Sequence, residues 1–181
     1  MSWGRSYRGD LSRTQVEPVK LRACALGYLA RREYSGAELK RKLLVRFSAD
    51  PEAAVKIDAL LGQLAVQGLQ SDQRFAQSRV RYRLQAGYGP ILIRQELLVK
   101  GVDAFCIGEV LTAETPDWIE TARCWLLRRH RPERLQAIMQ DPKQRAQLQS
   151  TLYRRGFNQE TSRAALGDIE VAMTGDESVI E

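Results

Sequence analysis

The stretch SDQRFAQSRVRYRLQAGYGPILIRQELLVKGVD, residues 71–103, decides the fold. The pair Gly89-Pro90 predicts the start of a helix, because proline fits the first helical position, where its missing N–H costs nothing. Gly101 predicts a left-handed stop for that helix, and Asp103 predicts the N-terminal cap of the next. Because another helical pattern precedes the pair, the stretch predicts a unit of three short helices.

Similar units precede and follow this stretch. On the N-terminal side, Ser35 and Glu38 have the spacing of a capping box, and Gly68 predicts another left-handed stop. Leucine-rich positions recur roughly 54 residues apart, and a Lys/Arg-Gly-apolar-Asp/Asn ending occurs at residues 100–103 and again at 155–158. The pattern predicts an all-α chain of three tandem three-helix repeats that form an elongated, curved array, with an irregular helical bundle as the alternative.

The predicted organisation has five segments. They are a flexible basic N-terminal tail over residues 1–17, three-helix repeats over 18–69, 70–114 and 115–167, and an acidic C-terminal tail over 168–181. We place the start of the third repeat at Thr115-Pro116 and a short last helix after Asn158.

Composition and charge favour an acidic partner. The 181 residues carry 28 Lys+Arg against 22 Asp+Glu, a net charge of +6, and residues from Leu166 onward contain acids but no base. Most of the bases are arginines, whose planar fork suits phosphate and carboxylate, although a GC-rich coding bias would also enrich arginine. A basic body predicts binding to nucleic acid, or to a protein polymer built on nucleic acid.

The residue types argue against most catalytic chemistry. The three cysteines are widely spaced and are expected to be buried thiols, and His130 is the single histidine. A hydrolytic triad would have to use His130, which stands among arginines at 128–131, where neighbouring cations lower its pKa. We expect no catalytic residue, no metal and no cofactor. Without an apolar signal segment or a membrane-spanning run, we expect a cytoplasmic monomer with no membrane partner.

Two arginines of the decisive stretch fall in an apolar arc. On a helical wheel, Arg79 and Arg83 lie between Phe75 and Val80 rather than opposite them. In one interpretation the arginine stems cover the core while the charged heads reach water. In the other, both side chains join Arg94 of the next helix in a cationic groove. A denser group is expected to be a solvated face: Arg123, Arg128, Arg129, Arg131 and Arg134.

Residues 71–102 strongly resemble the centre of the RecX family of bacterial regulators of the RecA recombinase. Residues 25–43 and 152–157 are similar to the family as well, so that the resemblance covers about residues 20–166. It implies three tandem three-helix repeats and no catalytic residues. It also implies binding along the groove of the RecA–DNA filament, limited filament growth, and lowered ATPase and coprotease activities, as a regulator of recombination and the SOS response.

The candidate residues for binding RecA or DNA are Arg79, Arg83, Arg94 and Lys100. The second hypothesis is a basic helical protein that acts directly on single- or double-stranded DNA, with RecA contact secondary. The third is an enzyme that uses His130 or an isolated acid.

Overall fold

The computed structural model describes residues 17–114 and 116–175, which form ten α-helices and no strand. The predicted all-α class is therefore confirmed. None of the helices in this part of the chain is both long enough and apolar enough to cross a membrane. The helices are α1 (Pro18–Leu29), α2 (Gly36–Arg46), α3 (Ala53–Val66), α4 (Asp72–Gln85), α5 (Pro90–Val99), α6 (Ala104–Ala113), α7 (Trp118–Arg129), α8 (Pro132–Gln140), α9 (Pro142–Arg154) and α10 (Gln159–Gly175).

The chain divides into two compact units, Met1–Asp72 and Gln73–Glu181. In the first unit, α1, α2 and α3 enclose a core of aliphatic side chains such as Leu39, Leu43 and Ile57, all fully buried. The predicted cap of α2 is confirmed, because Oγ of Ser35 accepts a hydrogen bond of 3.1 Å from the backbone N–H of Glu38. These contacts specify a three-helix unit with its own core.

The second unit contains two apolar cores. Helices α4–α6 bury one set of side chains, with Ile93 and Leu97 at its centre, and α7–α10 bury another around Leu126 and Leu152. Trp118 at the start of α7 packs against both sets. Trp118 therefore contacts both cores, and packing of α7 onto both helps to join α4–α6 to α7–α10.

The predicted helix stops at Gly68, Gly101 and Gly156 are confirmed. All three glycines have positive φ, with 78° at Gly101 and 89° at Gly156. Beyond α5, the N–H of Val102 donates to the Leu97 carbonyl, and beyond α9 the N–H of Phe157 donates to Leu152 in the same way. This arrangement is the Schellman motif. The repeated sequence ending thus has one backbone geometry at both of its occurrences.

The structure differs from the sequence analysis in three places. It contains α8 over Pro132–Gln140, where no helix was expected, and α10 continues through residues 168–175, which the sequence assigned to the acidic tail. Helix α7 begins at Trp118, with the Asp117 side chain as its cap, and not at Pro116, while Thr115 lies outside the described residues. So do residues 1–16 of the predicted N-terminal tail and the last six residues. The boundaries of the three repeats and the elongated shape remain predictions.

Candidate partner-binding surface

Two of the candidate arginines converge on one carboxylate. Arg79 and Arg83, one turn apart on α4, both bind Glu96 on α5. Nε of Arg83 donates to Oε2 of Glu96 at 2.6 Å, and Arg79 donates to Oε1. The side chains are 33%, 23% and 17% exposed for Arg79, Arg83 and Glu96. The guanidinium groups of Arg79 and Arg83 therefore neither reach freely into water nor form an open groove, because both are paired with the Glu96 carboxylate inside the protein.

The electrostatics of this cluster favour the charged forms of its members. Burial alone would raise the pKa of Glu96, but hydrogen bonds from Arg83 and Arg79 outweigh it, and the net pKa lies below its ordinary value. The hydrogen bond to Glu96 in turn raises the pKa of Arg83. The Arg83 guanidinium also lies over the ring of Tyr88, 4.7 Å from its centroid. The cluster thus fixes α4 to α5 as a charged, half-buried crosslink.

Arg94 lies on a different side of α5 from this cluster. Successive helical residues are about 100° apart, so Arg94 and Glu96 are separated by about 200° around the axis, whereas Lys100 shares the side of Glu96. Lys100 is half-buried at the C-cap, while Arg94 is exposed and has no ion pair within residues 17–114 and 116–175. The four candidate residues therefore do not form one group.

Arg94 instead belongs to an exposed face of α5 that also carries apolar side chains. Ile91 and Leu98, one turn before and one turn after Arg94, are each 47% exposed. We call Ile91, Arg94 and Leu98 the α5 outer face. Large apolar side chains beside an arginine are typical of protein-binding surfaces, in which arginine is enriched. The charge of Arg94 is evident from the sequence, whereas the exposure of its apolar neighbours Ile91 and Leu98 depends on how α5 packs.

Two arginines, Arg128 of α7 and Arg155 at the end of α9, cap the C-terminal end of α4. Nη1 of Arg155 donates to the carbonyl oxygens of Ala86 and Gly87 at 3.1 and 3.0 Å, and Nη1 of Arg128 donates to that of Gln85 at 3.1 Å. These carbonyls have no partner within their own helix, and cations are favourable at this end of a helix dipole. The Arg155 guanidinium also stacks on Trp125, 4.1 Å from the ring centroid. In the sequence, the repeated Lys/Arg-Gly ending, which recurs at Arg155-Gly156, was the signal that could have indicated Arg155.

The turn between α4 and α5 fits closely against the turn between α9 and α10. The N–H of Gly89 donates to the Arg155 carbonyl at 2.8 Å, and the N–H of Ile91 donates to the Gly156 carbonyl at 3.1 Å. A Cβ atom on Gly89 would lie 2.4 Å from the backbone of Gly156, and a Cβ on Gly156 would lie 2.4 Å from the backbone N of Leu92. Both positions require glycine because backbone meets backbone there.

The arginine-rich group of α7 and α8 is only in part the solvated face that the sequence predicts. Arg129, Arg131 and Arg134 are exposed, but Arg123 binds Glu120 through two hydrogen bonds. Hydrogen bonds from Arg123 and from the Cys124 thiol lower the pKa of Glu120 to about 2. The group therefore mixes paired and unpaired arginines.

All three cysteines are free and half-buried, so they are less buried than the buried thiols that the sequence predicts.

His130 has the lowered pKa that its cationic setting predicts. Burial makes the largest contribution, and the charges of Arg129 and Arg134 add to it. A neutral imidazole near neutral pH follows from this arrangement.

The comparisons with known proteins agree on one family. A family model described as RecX, second three-helix domain, matches residues 71–111, which span α4, α5 and most of α6. Regulatory protein RecX of Xanthomonas axonopodis pv. citri (strain 306) is 44% identical over 141 residues, covering 78% of this chain and 82% of the relative. The chain belongs to the RecX family.

Another relative and two solved structures extend the RecX comparison. Regulatory protein RecX of Pseudomonas entomophila (strain L48) is 39% identical over 143 residues, covering 79% of this chain and 87% of the relative. The crystal structure of RecX from Lactobacillus salivarius has a TM-score of 0.68 at 20% identity over 85% of this chain and 97% of its own, which shows the fold alone. A second crystal structure, of regulatory protein RecX, has a TM-score of 0.66 at 25% identity, covering 81% of this chain and 71% of its own. The predicted resemblance is confirmed.

Proposed function

We propose that this RecX-family protein is a non-enzymatic regulator of DNA repair and homologous recombination that binds the RecA filament. Bound there, it inhibits the recombinase, ATPase and coprotease activities of RecA. The observation that carries the proposal is the 44% identity over 141 residues to a protein named as regulatory protein RecX. RecA is the partner that the family resemblance implies, and the basic composition of the chain suits a filament assembled on nucleic acid.

We further propose that the α5 outer face contacts RecA. Leu98 and Ile91 supply apolar area that water leaves on binding, and Arg94 supplies a charge whose fork can bind a carboxylate of the partner. The crosslink between Arg83, Arg79 and Glu96 holds α5 against α4, so that this face is preorganised before binding. Arg83 and Arg79 then act as supporting residues, and Lys100 lies beside them at the end of α5.

Several modest contacts can produce strong inhibition if they act together. A chain of helical units that touches successive RecA protomers gains avidity, because each later contact is intramolecular. RecA works as a cooperative polymer, so one bound chain affects many ATPase sites. The alternative function, direct binding to nucleic acid, draws on the basic composition instead and needs no apolar contact.

Binding to RecA filaments and to bare DNA, measured side by side with α5 variants, separates the two functions. We expect Leu98→Asn and Arg94→Gln each to weaken filament binding by roughly tenfold, since central interface residues typically cost more than 1 kcal/mol. Leu98→Asn should leave DNA binding unchanged, because an apolar side chain contributes nothing to phosphate attraction. Arg41→Gln, an exposed arginine on α2, is the matched control for loss of one positive charge.

The outcomes are distinct. Loss of filament affinity in Leu98→Asn with normal DNA binding supports the proposed contact. Equal binding of all variants to filaments assigns the contact elsewhere, and affinity for bare DNA that equals or exceeds affinity for filaments favours the direct DNA-binding alternative.

A further inference from the structure

A pocket of about 450 Å³ opens among α7, α8 and α9. Three arginines line it: Arg129 at the end of α7, Arg134 on α8 and Arg155 at the end of α9. The neutral imidazole of His130 lies between α7 and α8. Side chains of Ile138, Leu148 and Trp125 supply an apolar wall. The volume falls within the range of about 300–1,000 Å³ that is typical of small-molecule sites. The pocket combines several cations with room for a ring.

Among the residues that the structure describes, no carboxylate lines this pocket, whereas two arginines near it but outside its lining are paired with acids. Arg123 on α7 binds Glu120, and Arg145 on α9 binds Glu170 at 3.1 Å. Arg129 and Arg134 have no ion pair in the described residues, and Arg134 donates only to the neutral amide of Gln144 at 3.2 Å. Within residues 17–114 and 116–175, no carboxylate pairs with Arg129 or Arg134, so both guanidinium groups are available to bind an anion from solution.

The nearest turn of α9 offers no compensation either. Asp141 caps α9, and its carboxylate accepts hydrogen bonds from the N–H groups of Lys143 and Gln144 and from Nε2 of Gln144. Arg155 is held by its carbonyl partners and by the Trp125 ring. Arg129 and Arg134 are therefore the guanidinium groups with free donors, one on each side of His130.

We propose that this pocket binds the phosphate group of a nucleotide. Two guanidinium groups on neighbouring helices suit phosphate, which accepts bidentate hydrogen bonds from arginine. The apolar wall, which includes Trp125, gives the attached base a surface on which to pack. The phosphate comes either from a free mononucleotide or from the backbone of a nucleic-acid strand. Both sources present the same group to Arg129 and Arg134.

His130 provides a direct readout, because it is the single histidine of the chain and lines the pocket. An anion at Arg129 and Arg134 offsets the charges that lower the pKa of His130, so binding moves its imidazole NMR signals at constant pH. The experiment titrates the full chain with inorganic phosphate, with adenosine 5′-monophosphate and with a short single-stranded oligonucleotide, and follows the His130 signals.

We expect a saturable shift of the His130 signals with at least one probe. The double variant that combines Arg129→Gln with Arg134→Gln should weaken that binding by roughly tenfold or more, because the two substitutions remove charge-assisted hydrogen bonds. Arg131→Gln, the matched control, removes an equal charge from an exposed position that does not line the pocket, and should change affinity by less than about twofold. Arg134→Gln alone serves if the double variant does not fold.

Saturation by phosphate or the mononucleotide identifies a free ligand, and saturation by the oligonucleotide alone identifies a nucleic-acid strand. Unmoved His130 signals with all three probes, or an equal effect of Arg131→Gln, would overturn the proposal. The pocket lies outside the α5 outer face, so this result is independent of the filament-binding assay.

Discussion

The Nε atom of Arg83 on α4 donates a hydrogen bond of 2.6 Å to Oε2 of Glu96 on α5. Because the same carboxylate also binds Arg79, one acid pairs with both of the arginines that one interpretation of the sequence places in a cationic groove. Arg94, on another side of α5, stands between the exposed side chains of Ile91 and Leu98, and this α5 outer face is the surface that we propose for the partner. Arg79, Arg83 and Glu96 therefore support α5 from inside the second unit. The α5 outer face remains exposed on another side of the same helix.

Replacement of Glu96 should destabilise the protein. Glu96→Gln leaves two half-buried arginines without their carboxylate, and we expect a loss of about 1–2 kcal/mol in the free energy of unfolding at neutral pH, between the values for exposed and buried pairs. Chemical denaturation measures it. Glu109→Gln, an exposed glutamate on α6, should change stability by less than about 0.5 kcal/mol.

The same pair predicts how that loss depends on pH. The pKa of Glu96 is lower in the folded state than its ordinary value of 4.5. Its stabilisation is therefore complete above pH 4.5 and disappears as the pH falls through the folded-state pKa. The difference between wild type and Glu96→Gln should be constant near neutral pH and should shrink on acidification. A difference that grows on acidification would contradict the assignment.

The turn at Gly89 lies directly against the turn at Gly156, so that a side chain added at Gly89 should clash although the backbone dihedrals there are ordinary. Gly89 has φ −87°, so alanine is not strained there, but its Cβ would clash with the backbone of Gly156. We expect Gly89→Ala to cost about 1–3 kcal/mol, the range for overpacking. Gly108→Ala in α6, where a Cβ meets nothing within 4 Å, should instead stabilise by roughly 0.5–1 kcal/mol. Thermal melts of the two variants that move in the same direction would contradict this.

Arg155 should not be replaceable by lysine. Its fork reaches two carbonyls at the end of α4 while its plane covers Trp125, and a lysine ammonium cannot do both. We expect Arg155→Lys to lower the free energy of unfolding by about 1–3 kcal/mol, as for other hydrogen bonds from charged groups. Arg154→Lys, the exposed neighbour on α9, is the control and should be neutral in the same denaturation experiment.

Local signals in the sequence predicted the helices and their ends well. Gly101 and Gly156 marked helix stops because a positive φ is a local requirement, and Asp103 marked a cap because its carboxylate accepts hydrogen bonds from the N–H groups of Phe105 and Cys106. Helix α8 was missed, and the arginine-rich group around its start was interpreted only as a solvated face. Pairings across distance, such as Arg83 with Glu96 or Arg155 with Ala86, depend on tertiary packing and leave no local signal. The helical wheel correctly placed Arg79 and Arg83 beside the core, but it could not identify Glu96 as their partner because Glu96 lies on another helix.

The most direct test of the proposed function adds the protein to preformed RecA filaments and follows ATP hydrolysis as the ratio of protein to RecA rises. RecA should come from the same organism, and the Leu98→Asn variant serves as a folded control of reduced activity. We predict that the ATPase rate falls well below one copy of the protein per RecA protomer, because one bound chain affects many protomers of a cooperative filament. A rate that falls only near saturation of the DNA, or that does not change at any ratio, would contradict the account.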